Sequence, residues 1–285
     1  MRIPREQRLA LPQLTLAARE WPGPGPKVLA LHGWLDNAAS FDPLLPLLPD
    51  VHAVALDLPG HGHSDHRPKG AWYHLVDNLS DILGALDALG WERVILLGHS
   101  MGAALASLAA AVLQERVAAL WLIEGLGPLA TAEADLPALM RRALDGRVRS
   151  AEKQLRVFET VDEAVATRLA ATPMAEHAAR RLVERGLRAV EGGWTWSSDP
   201  RLMLASPLRA SEGQVEACLS AIACPSLLLT ASDVPPYFPT DLVERRMARV
   251  PNLKRQVITG RHHVHMDDPA SVAAAIAAFR SAQAG

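Results

Sequence analysis

Gly98-His99-Ser100-Met101-Gly102 lies between an apolar run, Arg93-Val94-Ile95-Leu96-Leu97, and a stretch of small residues, Ala103-Ala104-Leu105-Ala106. A G-x-S-x-G pentapeptide in that setting describes a sharp turn from a buried parallel strand into a closely packed helix, with the serine exposed at its apex. Glycines at 98 and 102 remove the Cβ atoms that would collide with neighbouring strands or the helix, so Ser100 can take an unfavourable backbone conformation. Such a turn is a nucleophile elbow.

Outward from it, strand-like and helix-like segments alternate. An opening hairpin is expected over Arg8 to Leu11 and Gln13 to Arg19, with strands at Val28 to Leu31, Val51 to Leu56, Ala119 to Ile123, Ser226 to Thr230 and Lys254 to Ile258. A helical stretch near Phe41 to Leu48 separates two of them. Leu75, Val76, Leu79, Ile82, Leu83, Leu86 and Leu89 recur at helical spacing, with Gly90 as terminator. Asp268-Pro269 supplies an N-cap and a first-turn proline for a last helix that turns Val272, Ile276 and Phe279 inward. The alternation implies an α/β protein with a mostly parallel, doubly wound sheet.

Residues 129–218 break the alternation. Helical segments are expected around Leu136 to Arg149, Ala151 to Val157, Asp162 to Ala171 and Ala175 to Val190, and no strand is expected. The organisation is therefore a core in two parts, 1–128 and 219–285, with an all-helical insertion capping the carboxyl ends of the strands, where open α/β sheets bind ligands. Over residues 133–216 thirteen basic residues balance thirteen acidic ones, so the cap offers no field for an anionic polymer and selectivity is expected from apolar shape. Trp194 and Trp196 either line an apolar pocket or anchor the cap to the core.

Composition excludes several classes. A chain of 285 residues, 49% hydrophobic, can bury one large core. The net charge of −2, with both signs interspersed, disfavours nucleic acid. Cys218 and Cys224 resemble neither a disulfide framework nor a metal knuckle. No signal-peptide core or membrane-length apolar run is present, so a cytoplasmic protein with no membrane partner, monomer or homodimer, is the expectation.

His32-Gly33-Trp34-Leu35-Asp36-Asn37, Asp57-Leu58-Pro59-Gly60-His61-Gly62-His63-Ser64, the elbow, and a late Asp and His together resemble the α/β-hydrolase superfamily across nearly the whole chain. The runs from His32 to Phe41 and from Gly192 to Leu202 are similar to its serine hydrolase-like branch. The resemblance implies an α/β-hydrolase fold with an eight-stranded sheet, a helical cap and no cofactor.

A neutral serine hydroxyl needs a base. The resemblance assigns that role to His262, which follows a Gly-x pair and precedes an acidic-x-Pro turn. His263 and His265 are expected to pack around it. No metal is expected in this His-rich tract, because it lacks a helical His-x-x-x-His pair and no matching second cluster appears. The base in turn needs a carboxylate. Asp233, following the strand Ser226 to Thr230, is the first choice, and Glu124, ending the preceding strand, is the alternative acid. Asp57 is assigned to loop shaping. The backbone N–H groups of Met101 and Trp34 are the expected oxyanion donors, while Trp34, Trp194, Trp196 and Phe238 are the expected substrate-binding residues.

Serine at the elbow argues against haloalkane dehalogenase and epoxide hydrolase chemistry, which uses aspartate there. The expected activity is carboxylesterase-like hydrolysis (EC 3.1) of small to medium apolar esters or thioesters. Carbon–carbon bond hydrolysis, perhydrolysis and a non-catalytic ligand-binding role are the alternatives.

Overall fold

The computed structural model describes residues 2–150 and 155–284. Its strands are β1 (Arg5–Ala10), β2 (Thr15–Trp21), β3 (Lys27–Leu31), β4 (His52–Leu56), β5 (Val94–His99), β6 (Val117–Ile123), β7 (Leu187–Val190), β8 (Gly193–Trp196), β9 (Ser226–Ala231) and β10 (Leu253–Ile258). Eight of them form one sheet in the order β1-β2-β4-β3-β5-β6-β9-β10. β1 and β2 pair antiparallel, as does β2 with β4, and all other neighbours are parallel. The central strands are apolar runs buried on both faces, as parallel sheets require.

The helices are α1 (Asn78–Ala88), α2 (Met101–Val112), α3 (Leu136–Ser150), α4 (Val161–Ala171), α5 (Glu176–Gly186), α6 (Glu212–Ser220), α7 (Thr240–Met247), α8 (Val264–Asp267) and α9 (Pro269–Ala284). One face of the sheet packs Ile82 and Leu86 of α1, Leu105 and Ala109 of α2, Leu219 of α6 and Val243 of α7. The other packs Phe41, Leu44 and Leu45 with Val272, Ile276 and Phe279 of α9. Each large side chain fully withdrawn from water contributes about 1.5–3 kcal/mol. Asp268 does cap α9, accepting from the backbone N–H of Ser271 at 3.2 Å. Instead of the helix expected near Phe41 to Leu48 there are two short 3-10 turns, Ala38–Phe41 and Leu45–Leu47, with Pro46 inside the second. No helix among the described residues is long and apolar enough to cross a membrane.

The chain order runs outward from β3 to β4 and then crosses back to β5 on the other side of β3. The topological switch point is therefore the gap between the carboxyl ends of β3 and β5. The loop from His32 and the elbow at Ser100 open there.

The cap is not all-helical. The helix expected to reach Val190 stops at Gly186, and β7 and β8 form an antiparallel hairpin. Gly192 (φ 82°) and Gly193 (φ 142°) make its turn, and a Cβ on Gly193 would lie 2.1 Å from the Phe158 carbonyl oxygen. Trp194 exchanges both backbone hydrogen bonds with Phe158, at 2.7 and 2.8 Å. Of the helix expected over Ala151 to Val157, residues 151–154 lie outside the described residues, and 155–157 have no regular structure. The cap has its own apolar cluster, including Phe158, Val165, Ala178, Leu182 and Leu187. α6, part of which the sequence assigns to the insertion, instead packs Val215 and Leu219 into the main core.

Buried charge fixes the cap to the sheet. Arg185 of α5 donates from Nε to both Asp57 oxygens, at 3.0 and 3.1 Å, and from Nη1 to Glu6 at 2.9 Å. Asp57 also accepts from the backbone N–H of Ala38 at 2.7 Å and of His63 at 2.8 Å, the loop-shaping role expected of it.

Candidate active site

Ser100 follows β5 and opens α2 with φ 53° and ψ −113°, a conformation that costs a non-glycine residue energy and persists only under constraint. The constraint is close packing. A Cβ on Gly98 would lie 2.4 Å from the Gly102 carbonyl oxygen, and one on Gly102 would lie 1.9 Å from that of Leu31. The Ser100 N–H is tied to the Ile123 carbonyl at the end of β6, at 2.9 Å. Met101 is the first residue of α2, and N–H groups in a first helical turn have no intrahelical acceptor. The dipole of α2 adds positive potential there.

β6 ends in a second constrained residue. Glu124 has φ 57°, and its carboxylate, buried with the rest of the residue, is divided between two partners. One oxygen accepts from the Ala231 N–H of β9 at 2.5 Å, and the other lies 3.1 Å from His262 Nδ1. Asp233 makes no such contact. Its residue is exposed, its N–H is spent on the Gly260 carbonyl at 3.1 Å, and its carboxylate bonds to no described residue. The expected Asp233–His262 pairing is thus corrected: the alternative acid, Glu124, is the one beside the histidine. The reason is backbone direction, since the left-handed turn at Glu124 points its side chain inward while the chain after β9 runs out to solvent.

His262 also meets a residue that the sequence reading missed. The Tyr237 hydroxyl lies 3.1 Å from its Nε2 and 3.2 Å from its Nδ1. Burial, together with the negative charges of Glu124 and Asp36, pushes Tyr237 up to about 12, so it stays a donor. Its only signal in the sequence is an aromatic in the proline-rich run Pro235-Pro236-Tyr237-Phe238-Pro239, close to the expected acid.

Beneath His262 lies a buried polar cluster. His99, the variable residue of the elbow, donates through Nε2 to the His262 carbonyl at 2.9 Å. Burial pushes His99 down to about 3 and leaves its ring neutral. His263 Nε2 meets Asp36 Oδ2 at 3.2 Å, and Arg168 of the cap donates to Asp36 Oδ1 at 2.5 Å. Burial alone would raise Asp36, but the His263 and Arg168 charges hold it well below the usual carboxylate range. His265 packs on Ser40, its Nε2 2.7 Å from the hydroxyl. His32 braces the switch-point loop, accepting through Nε2 from the Leu58 N–H at 3.0 Å.

Of the aromatic residues expected to bind substrate, Trp34 is the most exposed, at 49%, and its indole N–H donates to the Leu202 carbonyl at 3.0 Å. Trp196 stacks edge-on against Phe158, with ring centroids 5.3 Å apart, inside the cap cluster. That contact ties it to the cap interior while the residue stays partly exposed. Trp194 flanks it on the hairpin and is partly exposed. Phe238, also expected to bind substrate, is 5% exposed and packs in the main apolar core.

The sequence profile of the alpha/beta hydrolase fold family matches residues 26–269. A serine hydrolase-like protein of Danio rerio is 32% identical over 294 aligned residues, covering 99% of this chain and 90% of its own. The crystal structure of the hypothetical protein PA1622 from Pseudomonas aeruginosa PAO1 is similar with a TM-score of 0.91 at 40% identity, covering 97% of this chain and 99% of that one. A thioesterase domain from the curacin biosynthetic pathway is similar with a TM-score of 0.83 at 27% identity, covering 96% and 99%. By profile, sequence and structure alike, the chain belongs to the α/β-hydrolase fold family, in its serine hydrolase-like branch.

Proposed function

We propose that the protein hydrolyses carboxylic esters or thioesters of small to medium apolar acyl groups through an acyl-enzyme, with Ser100 as nucleophile, His262 as base and then acid, and Glu124 as the carboxylate that orients the histidine. The observation that carries this reading is the strained Ser100 elbow, tied through His99 to the His262 carbonyl, together with a His262 Nδ1 held 3.1 Å from a buried Glu124. Nδ1–H donation to Glu124 leaves the Nε2 lone pair as the base. Ser100 Oγ attacks the carbonyl carbon as Nε2 takes its proton. The carbonyl oxygen becomes an oxyanion, for which the Met101 and Trp34 N–H groups are the donors. On collapse the bond to the alcohol or thiol breaks, and Nε2–H protonates the leaving group. Water then repeats the sequence on the acyl-enzyme and releases the acid with Ser100 restored.

The thioesterase domain among the structural relatives supports the thioester half of this range. Two free cysteines, Cys218 and Cys224, are in keeping with a reducing cytoplasmic setting. The test is a fluorophosphonate probe with mass-spectrometric mapping, followed by turnover of p-nitrophenyl esters and acyl thioesters of graded chain length. Labelling of Ser100, and loss of both labelling and turnover in Ser100→Ala, is the expected result. A folded wild-type protein that neither labels nor turns over any of them would return the reading to a ligand-binding role.

A further inference from the structure

We propose that Asp36, His99 and His263 form a binding site for one divalent transition-metal cation of the zinc class, below the candidate active site. Three segments far apart in sequence supply it: the loop after β3, the elbow and the loop before α8. One ligating atom from each of the three residues lies within 4.8 Å of the others, and all three residues are buried. Asp36 Oδ2 is 3.2 Å from His263 Nε2 and 3.6 Å from His99 Nδ1. Two ligands of a tetrahedral zinc, at about 2.0–2.1 Å from the metal, stand about 3.4 Å apart. The two carboxylate-to-nitrogen separations lie on either side of that value, while the two imidazole nitrogens, within 4.8 Å of one another, close to about the same value when they share one ion.

Proton placement gives an independent reason. A carbonyl oxygen only accepts, so the Nε2 of His99 that meets the His262 carbonyl carries the ring's proton. The His99 Nδ1 lone pair then points toward the Asp36 carboxylate, and Nδ1 has no hydrogen-bond partner among the described residues. Two acceptors facing each other in a buried site is a costly arrangement that a shared cation relieves. His263 can meet the same demand. When it gives up its Nε2 proton, that nitrogen becomes a ligand while Nδ1, also without a hydrogen-bond partner among the described residues, keeps the other proton.

Gly33 keeps the position open. A Cβ there would come within 3.0 Å of both Asp36 Oδ2 and His99 Nδ1. Arg168 occupies only the other carboxylate oxygen, Oδ1. Two imidazoles and one carboxylate are a borderline donor set that favours zinc, nickel or copper over magnesium or calcium. The spacing rule for histidines within one helix misses the site because its ligands converge through the fold.

The test uses the full-length protein after treatment with a chelator, titrated with Zn2+ by calorimetry, and with Co2+ followed by its visible absorption. One Zn2+ per chain, a rise in Tm, and a tetrahedral-type Co2+ spectrum abolished by Zn2+ are the expected results. Asp36→Asn and His263→Gln should each weaken Zn2+ binding at least tenfold, and His177→Gln, on the exposed face of α5, should leave it unchanged. Arg168→Gln should strengthen it, since a positive charge beside the carboxylate is removed. The Co2+ spectrum of the wild type keeps the test decisive should the buried variants fold poorly. Absence of saturable binding, or binding indifferent to both Asp36→Asn and His263→Gln, would overturn the proposal. All these readouts are independent of ester turnover.

Discussion

β6 and β9 are hydrogen-bonded neighbours, and each is followed by an acidic residue, yet the two carboxylates live in different solvents. Glu124, directly after β6, turns inward through a left-handed residue, is 3% exposed and shares its oxygens between Ala231 and His262. Asp233, two residues past β9, sits on an exposed turn whose backbone alone is engaged. The lesson is that a strand end only offers a carboxylate to the site, and the next φ angle decides whether it arrives.

The largest expected effect comes from breaking the inward side. Glu124→Gln keeps the volume and the Ala231 hydrogen bond but can present its amide to Nδ1, which favours the wrong histidine tautomer. Loss of an orienting carboxylate of this kind costs about 10⁴ in kcat. Steady-state turnover of an activated ester checks it, and a variant within tenfold of wild type would remove Glu124 from the mechanism.

Acid should act on the same interior. Burial, followed by the neighbouring His32 charge, pushes His61 down to about 3 against the opposing pull of Asp57 and Asp36, and burial likewise lowers His32. Unfolded, both rings protonate near 6.5, so between that value and the folded one the unfolded chain binds more protons. Their stabilisation is therefore complete above about pH 6.5 and is lost as pH falls, for His61 at about 1.4 kcal/mol per pH unit and for His32 in the same direction. Thermal melts of chelator-treated protein from pH 7 to 5 should show Tm dropping by roughly 5 °C per unit at the acid end. A flat profile would mean that these histidines already carry charge in the fold.

The two strand ends also explain what could be read from the chain. Apolar runs and the glycines at 98 and 102 specify the sheet, the elbow and Ser100 through local sterics, because each strand or turn carries its own pattern. The acid was legible only as a choice between two residues, since the inward turn at Glu124 depends on β9 lying alongside. The hairpin of β7 and β8 was hidden among helix-forming residues, and only Gly192-Gly193 followed by Trp-Thr-Trp betrays it. Asp36, Arg168 and Tyr237 carry no local signal, because their roles come from contacts across 25 to 227 positions of chain, from Tyr237 with His262 at a separation of 25 to His263 with Asp36 at 227.

A smaller effect should sharpen the contrast from the Tyr237 side. Its hydroxyl bonds to the Nε2 that, in the proposed mechanism, accepts the Ser100 proton. A hydrogen bond of this type nets about 1 kcal/mol, so releasing Nε2 in Tyr237→Phe should raise kcat by up to about fivefold. Titrating kcat against pH in both proteins checks it, and a large decrease would make the hydroxyl part of the catalytic machinery.

Asp233→Asn should give the smallest effect, and it completes the comparison. The substitution removes a charge from an exposed turn and leaves the backbone bond from its N–H to Gly260 intact. Surface changes away from such features are ordinarily worth less than about 0.5 kcal/mol, which corresponds to about twofold in rate. Turnover and Tm should both stay within that margin. In the Glu124→Gln background the same holds if Asp233 has no access to the histidine. If Asp233→Asn instead abolishes the residual activity of Glu124→Gln, the exposed turn can swing inward and lend its carboxylate to His262, and the division between a dry strand end and a wet one is conformational rather than fixed.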